Sequence, residues 1–225
     1  MTRPNSMQAS RKNRPAPAPR HAGPARQVRI IGGQWKRTPL AVLDAEGLRP
    51  TPDRVRETVF NWLNHLFDGN WTRVRCLDLF AGTGALGFEA ASRGAAGVLM
   101  VEDSAAAVRQ LDATRDKLKA TQVDIRRGDA LATAHTLLRH DMRFELIFLD
   151  PPYHRDWLVK ILPVCRQLLA DGGMVYAEAE TLLDTEAEGE STPNWLDGWA
   201  VVRADKAGMV FYHLLQRKSM PENQA

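Results

Sequence analysis

The 225-residue chain has only two cysteines, Cys76 and Cys165. They stand apart from each other and from any cluster of histidines, which excludes a disulfide framework and leaves no zinc-ligand spacing. Both are expected to be buried thiols, and no metal is expected. No uninterrupted apolar run approaches the roughly 18 residues of a membrane helix. The amino terminus is basic but lacks the apolar segment of a secretory signal, so a cytoplasmic protein without membrane contact is expected. No internal repeat is present, which excludes a solenoid.

Acid is missing from the amino-terminal end. No Asp or Glu precedes Asp44, whereas Arg3, Arg11, Lys12, Arg14, Arg20, Arg26, Arg29, Lys36 and Arg37 all do. Setting those nine aside from the 30 basic residues leaves 21 against 27 acids, so residues 44–225 carry about −6 and the overall +3 comes from the amino-terminal arm. An acidic body with a basic arm suits a polyanionic partner, although such attraction gives affinity without choosing a base. Residues 1–27 are rich in Pro, Arg and Ala and too poor in large apolar side chains to fold alone, so a disordered tail is expected. With 44% hydrophobic and 25% charged residues, the remainder suffices for one α/β core.

The run from Val74 to Gly87 reads as a buried strand, a glycine turn and a helix. Gly82, Gly84 and Gly87 spell G-x-G-x-x-G, and Glu102 follows about 20 residues on, as a dinucleotide site would have it. Asp78 argues for a different ligand. A carboxylate four residues before the first glycine repels a pyrophosphate but pairs with a cation, such as the ammonium of S-adenosylmethionine. Glu102 closes the strand 97–102, where it can bind both ribose hydroxyls. In Gly128-Asp129-Ala130, Asp129 can accept from the adenine amine and Ala130 can lend a backbone N–H to the ring; a plain Gly-Asp turn opening a helix explains the same residues.

Asp150-Pro151-Pro152-Tyr153 ends the apolar run 146–149. The two prolines fix φ and lack N–H groups, so the chain leaves its strand in a stiff extended turn whose carbonyls point away from any ladder. The Asp150 carboxylate and the Pro151 carbonyl can take both hydrogens of a flat amine, while Tyr153 stacks on the base that carries it. Acid and glycines, strand-end Glu, Gly-Asp and D-P-P-Y fall at successive strand ends of one β/α series, the edge where open α/β sheets bind ligands.

Upstream, residues 28–40 read as a hairpin whose Gly32-Gly33 supplies a primed two-residue turn, carrying Trp35, Lys36 and Arg37 outward. Such a hairpin either recognises RNA beside the site or caps the sheet. Thr51 is the expected N-cap of a helix with Pro52 at its first position and a packing stripe of Val55, Val59, Trp62, Leu63 and Leu66. Arg54 and Arg56 lie on its other faces, and the helix start lies over the methionyl end of the cofactor, meets RNA phosphates or is a solvated face. Downstream, residues 156–170 read as a helix, 173–179 as a buried strand, and 199–204 with 209–216 as a closing hairpin, with a polar stretch at 181–198 that holds no chemistry.

The blocks Arg29-Ile30-Ile31-Gly32-Gly33 and Gly47-Leu48-Arg49-Pro50-Thr51-Pro52-Asp53-Arg54-Val55-Arg56-Glu57-Thr58-Val59-Phe60-Asn61-Trp62-Leu63, with the glycine loop and D-P-P-Y, resemble the RsmD-type methyltransferases, which modify a guanine N2 in bacterial 16S ribosomal RNA. The resemblance covers nearly everything after the first 27 residues. It departs at Pro52, where a Thr is frequent, and in the longer amino-terminal extension. It implies a Rossmann-like class I methyltransferase fold, a seven-stranded mostly parallel sheet with a closing antiparallel hairpin. It also implies S-adenosylmethionine held by Asp78, Phe80, Gly82, Gly84, Glu102, Asp103, Asp129 and Ala130, and target contacts from Asp150, Pro151, Pro152 and Tyr153. RNA contacts from Arg29, Trp35, Lys36, Arg37, Arg54 and Arg56 follow, on 16S rRNA within an assembling small subunit, by a monomeric enzyme.

The expected organisation is a tail at 1–27, a recognition hairpin at 28–46, a methyltransferase domain at 47–218 and a flexible end at 219–225. Three alternatives stay open on the residues alone. An adenine-N6 methyltransferase would use the same D-P-P-Y; a nicotinamide oxidoreductase would explain the glycines and Glu102; a catalytically silent RNA-binding protein would need only arm and fold.

Overall fold

The computed structural model describes residues 28–42, 52–185 and 194–218. The tail at 1–27, the block 43–51 with Thr51, part of the polar stretch and the end at 219–225 lie outside the described residues.

Five strands run parallel because each returns through a helix: β3 (Arg75–Asp78), β4 (Gly97–Glu102), β5 (Val123–Arg127), β6 (Phe144–Leu149) and β7 (Leu169–Ala179). Helices α2 (Ala85–Ser92), α3 (Ala105–Leu118), α4 (Ala130–Arg139) and α5 (Trp157–Leu168) make the crossovers, and β8 (Trp199–Ala207) with β9 (Val210–Arg217) closes the edge as an antiparallel hairpin. The seven strands order as β5-β4-β3-β6-β7-β9-β8, so the chain reverses direction across the sheet between β3 and β6. Ligands bind such sheets at that reversal, outside the carboxyl ends of the strands.

Strand alternation divides the core into two. Cys76, Met100, Phe148, Tyr176 and Leu214 face α2, α3, the amino-terminal segment and α1 (Asp53–Leu66). Leu77, Val101, Ile147, Leu149 and Val175 face α4 and α5. The stripe expected on α1 is present: Val55, Val59 and Leu63 are buried, Trp62 stacks on Tyr212 at 5.6 Å, and Phe60 lies between Trp71 and Phe148 at 5.8 Å from each. Pro52 takes the cap position of α1 with no side-chain bond to offer, and the helix starts one residue later than its first-position assignment implied. Both cysteines are free and buried. Among the described residues no helix is long and apolar enough to cross a membrane.

Two expectations are corrected. The helix expected over 156–170 ends at Leu168, and the chain passes straight into β7, which starts at Leu169 rather than 173 because Leu169 already pairs with Phe144 before a register shift. The amino-terminal hairpin exists, but β1 (Val28–Arg29) and β2 (Pro39–Leu40) pair over two residues each, and Gly32-Gly33 is not a two-residue turn. The connection instead docks on α2. Buried Glu89 accepts the N–H groups of Ile31 at 2.6 Å and Gly32 at 2.8 Å, and Ser92 Oγ accepts from Trp35 N–H at 2.8 Å while donating to the Gly32 carbonyl at 2.7 Å. Gly33, at φ 72°, lies so close to Ser92 that a Cβ would overlap its carbonyl.

Candidate cofactor and target-base site

The end of β3 and the start of α2 build a cradle in which the three glycines have different tasks. Gly82, at φ 51°, has among the described residues only the Phe80 carbonyl within 4.0 Å of where a Cβ would stand, so its Cα side is open. Gly84 caps α2 at φ 77°, and a Cβ there would lie 2.5 Å from Phe88 and 2.7 Å from Leu111. Gly87 lets α2 press on β4: a Cβ would overlap Met100 and reach within 3.2 Å of Asp78. Of the three, Gly82 alone leaves space beside it among the described residues; the other two serve helix packing.

Asp78 is 1% exposed. Its Oδ2 accepts the Gly87 N–H at 3.1 Å, and its Oδ1 is buried without a hydrogen-bond partner among the described residues. Burial pushes this carboxyl up to about 7, opposed by the Phe80 and Gly87 backbone N–H groups and reinforced by the charge of Glu102. A buried acid with one unsatisfied oxygen suits a cationic group and opposes an anionic one.

Glu102 ties the cradle together, its Oε2 accepting from Gly82 N–H and its Oε1 from Ser104 N–H, each at 2.9 Å. A carboxylate offers about four acceptor directions, so hydroxyls can still approach. The Glu102 carbonyl accepts Gly128 N–H at 3.0 Å and so brings the β5 end alongside. There Asp129 is the N-cap of α4, accepting Ala132 N–H at 2.8 Å from an exposed position, and Ala130 is buried behind it. Asp103 is exposed, and its carbonyl accepts from Arg127 Nε at 3.3 Å. Phe80 is half-buried and meets Trp157 edge-on at 5.3 Å. Trp157 is an addition to the expected set: it opens α5 with its indole Nε1 buried and unpartnered among the described residues.

The tetrapeptide Asp150 to Tyr153 leaves the end of β6, the neighbour of β3. Asp78 pairs with Phe148, so Asp150 lies two residues further on the same face, roughly 8 Å away by strand spacing and rise. Asp150 and Tyr153 are half-buried, Pro151 is buried and Pro152 exposed. Glu180, just past β7, clamps the loop: its carboxylate accepts His154 N–H at 2.5 Å and contacts His154 Nδ1 at 2.9 Å. His154 and Asp156 both adopt positive φ, which turns the chain back into α5. Beside Asp150, buried Glu178 accepts the Tyr176 hydroxyl at 2.8 Å. Burial, and then the negative charges of Glu178 and Asp150, push the Tyr176 phenol well up.

The residues expected to touch RNA do not gather. Arg56 is wholly buried: Nη2 pairs with Asp53 at 2.7 Å and Nη1 donates to the Arg29 carbonyl at 2.9 Å, so it locks the hairpin to α1 and does not present its charge to a phosphate. Trp35 is half-buried against the core rather than carried outward. The 30s turn sits on the last residue of α2, about 12 Å of helix from the glycine loop, at the edge away from the cofactor cradle. Lys36 and Arg37 are exposed there, Arg29 is exposed with a 2.8 Å pair to Asp53, and Arg54 is exposed near Asp205 and Tyr212. Sequence reasoning missed Glu89 and Ser92, although a lone carboxylate inside the apolar helix Ala85–Ser92 signals a buried acceptor.

The family model described as Conserved hypothetical protein 95 matches residues 28–216. Ribosomal RNA small subunit methyltransferase D of Escherichia coli K12 is 39% identical over 207 residues, covering 92% of this chain and 98% of its own. The protein of that name in Haemophilus influenzae is 35% identical over 193 residues, covering 84% and 94%. The solved structure of yhhF from Escherichia coli aligns with a TM-score of 0.68 at 36% identity, covering 86% of this chain and 99% of that one. The buried, half-satisfied Asp78 and the open side of Gly82 fit the sulfonium cofactor of this fold, and Asp78 does not fit a nicotinamide dinucleotide. Sequence, topology and cradle agree: the chain belongs to the RsmD family of class I methyltransferases, whose cofactor is S-adenosylmethionine.

Proposed function

We propose that this protein methylates the exocyclic N2 amine of a guanine in 16S rRNA, acting as a monomer on the assembling small ribosomal subunit. The observation that carries it is the D-P-P-Y turn, clamped by Glu180 and set on the strand next to Asp78. The names of the relatives support the rRNA substrate. Asp78 would hold the cofactor's ammonium, Glu102 its ribose hydroxyls, and Asp129 with the Ala130 N–H its adenine. Phe80, Gly82, Gly84 and Asp103 would line the same cleft. S-adenosylmethionine supplies an electrophilic methyl; the chain supplies position and acceptors.

A guanine amine is scarcely basic, because its lone pair is spread into the ring. The Asp150 carboxylate and Pro151 carbonyl accept its two hydrogens, localise the lone pair and stabilise the positive charge that grows on nitrogen as the new C–N bond forms and the methyl–sulfur bond breaks, its electron pair staying on sulfur as a neutral thioether. Proximity and orientation supply most of the rate, and no nucleophilic side chain is needed. The proton leaves afterwards to Asp150 or water. Pro152 keeps the turn stiff, and Tyr153 stacks on the flipped base, offsetting a few kcal/mol of unstacking. Exposed Arg29, Lys36, Arg37 and Arg54 would add phosphate contacts at the rim and the far face.

Asp150→Ala tests the assignment. Cofactor affinity by calorimetry stays within about twofold, and transfer falls by about 10²–10³, the size of losing one preorganised group at a developing charge. Transfer that survives the substitution would remove Asp150 from the chemistry.

A further inference from the structure

Holding an amine and choosing a base are separate problems. Guanine presents N1–H and the N2 amine as adjacent donors on one edge. Adenine presents its N6 amine beside N1, an acceptor. Asp150 and the Pro151 carbonyl serve either amine, so the choice falls to whatever stands next to them. An acceptor there satisfies guanine N1–H and sets lone pair against lone pair on adenine.

A carboxylate stands there. β6 and β7 run parallel with Leu149 opposite Ala177, so the next residues, Asp150 and Glu178, are neighbours about one strand spacing, 4.8 Å, apart. Both follow Phe148 and Tyr176 at a two-residue interval and share their face. Asp78 on β3 lies two residues back on this face, opposite Phe148, so three acids share one face of the sheet toward its ligand-binding edge. Glu178 is 3% exposed, and the Tyr176 hydroxyl bonds its Oε1 at 2.8 Å, which fixes the plane of the carboxylate. Burial, and then the charges of Glu178 and Asp150, raise the Tyr176 phenol, which places both acids near its hydroxyl.

We infer that Glu178 is a specificity-determining residue: its carboxylate accepts the N1–H of the target guanine while Asp150 and the Pro151 carbonyl hold the N2 amine. This rests on the guanine reading above and supplies it with a residue that separates guanine from adenine.

The test uses the full-length protein and small subunits reconstituted with 16S RNA carrying either guanine or 2-aminopurine at the modified position. 2-Aminopurine keeps the amine but replaces N1–H by an acceptor. Wild-type protein is expected to prefer guanine by about 10²-fold in kcat/KM, as a site built around a donor does when the donor is missing. In Glu178→Gln the amide can turn its N–H to the analogue, and the preference shrinks to about tenfold or less, with cofactor affinity unchanged. A merely structural role would slow both substrates alike, so an unchanged ratio in a variant that still methylates guanine overturns the inference. Should that variant not fold, the wild-type ratio alone decides, and a value near one overturns it. Methylation of adenine in place of guanine would sink the guanine reading and this inference together; guanine methylation with an unchanged ratio sinks the inference alone.

Discussion

If Asp78 holds the cofactor's ammonium, as proposed, cofactor binding is a proton-linked event. The Asp78 carboxyl is pushed from 3.8 up to about 7, which corresponds to about 4 kcal/mol against the ionised form in the free protein. The sign follows from which state holds the proton. Below about pH 4 both folded and unfolded chains are protonated at this site; between about pH 4 and 7 only the folded chain keeps the proton, so this group's stabilising contribution falls as pH rises and is gone above about 7. Binding an ammonium runs the other way, because it requires the carboxylate. Affinity for S-adenosylmethionine should therefore weaken about fivefold from pH 7 to pH 6, with about 0.9 of a proton released per cofactor at pH 6 and less than half at pH 7. The window stays below the ~7.7 at which an α-amino group itself titrates. Calorimetry in two buffers of different ionisation enthalpy reads both quantities, and Asp78→Asn should bind more weakly with no slope. A wild-type protein whose affinity and proton count stay flat across this window would refute the pairing.

Two substitutions test the scaffold. Glu89→Gln turns an amide N–H toward donors that now bond a buried carboxylate, namely Ile31, Gly32 and Arg93 Nε at 2.8 Å; a loss of about 2–3 kcal/mol in urea unfolding is expected, with faster proteolysis within residues 28–42, and unchanged stability would contradict it. Gly84→Ala combines a left-handed φ of 77° with overlap on Phe88 and Leu111; about 2–4 kcal/mol is expected, lowering Tm by about 5–15 °C, whereas a Tm within a degree of wild type would show that the cradle has slack.

The sheet was legible because its central strands are buried on both faces and read as apolar runs such as Leu146 to Leu149. The strand-end residues were legible because topology puts them on one edge. What stayed hidden depends on contacts distant in sequence. Arg56 has the composition of a surface helix residue, and only its bond to the Arg29 carbonyl, 27 residues away, shows why it is buried. Gly32-Gly33 has the signature of a tight turn, but Glu89 and Ser92 capture its backbone first, and no local pattern carries that information. Asp129 was legible as a helix cap: it opens α4 as the Gly-Asp turn suggested.

The most direct measurement is to incubate the protein with methyl-labelled S-adenosylmethionine and small ribosomal subunits lacking the modification, and to identify the labelled nucleoside by mass spectrometry. N2-methylguanosine at a single site of 16S rRNA is the predicted product. N6-methyladenosine, or no transfer to subunits or protein-bound 16S RNA by protein that binds the cofactor, would contradict the proposed function.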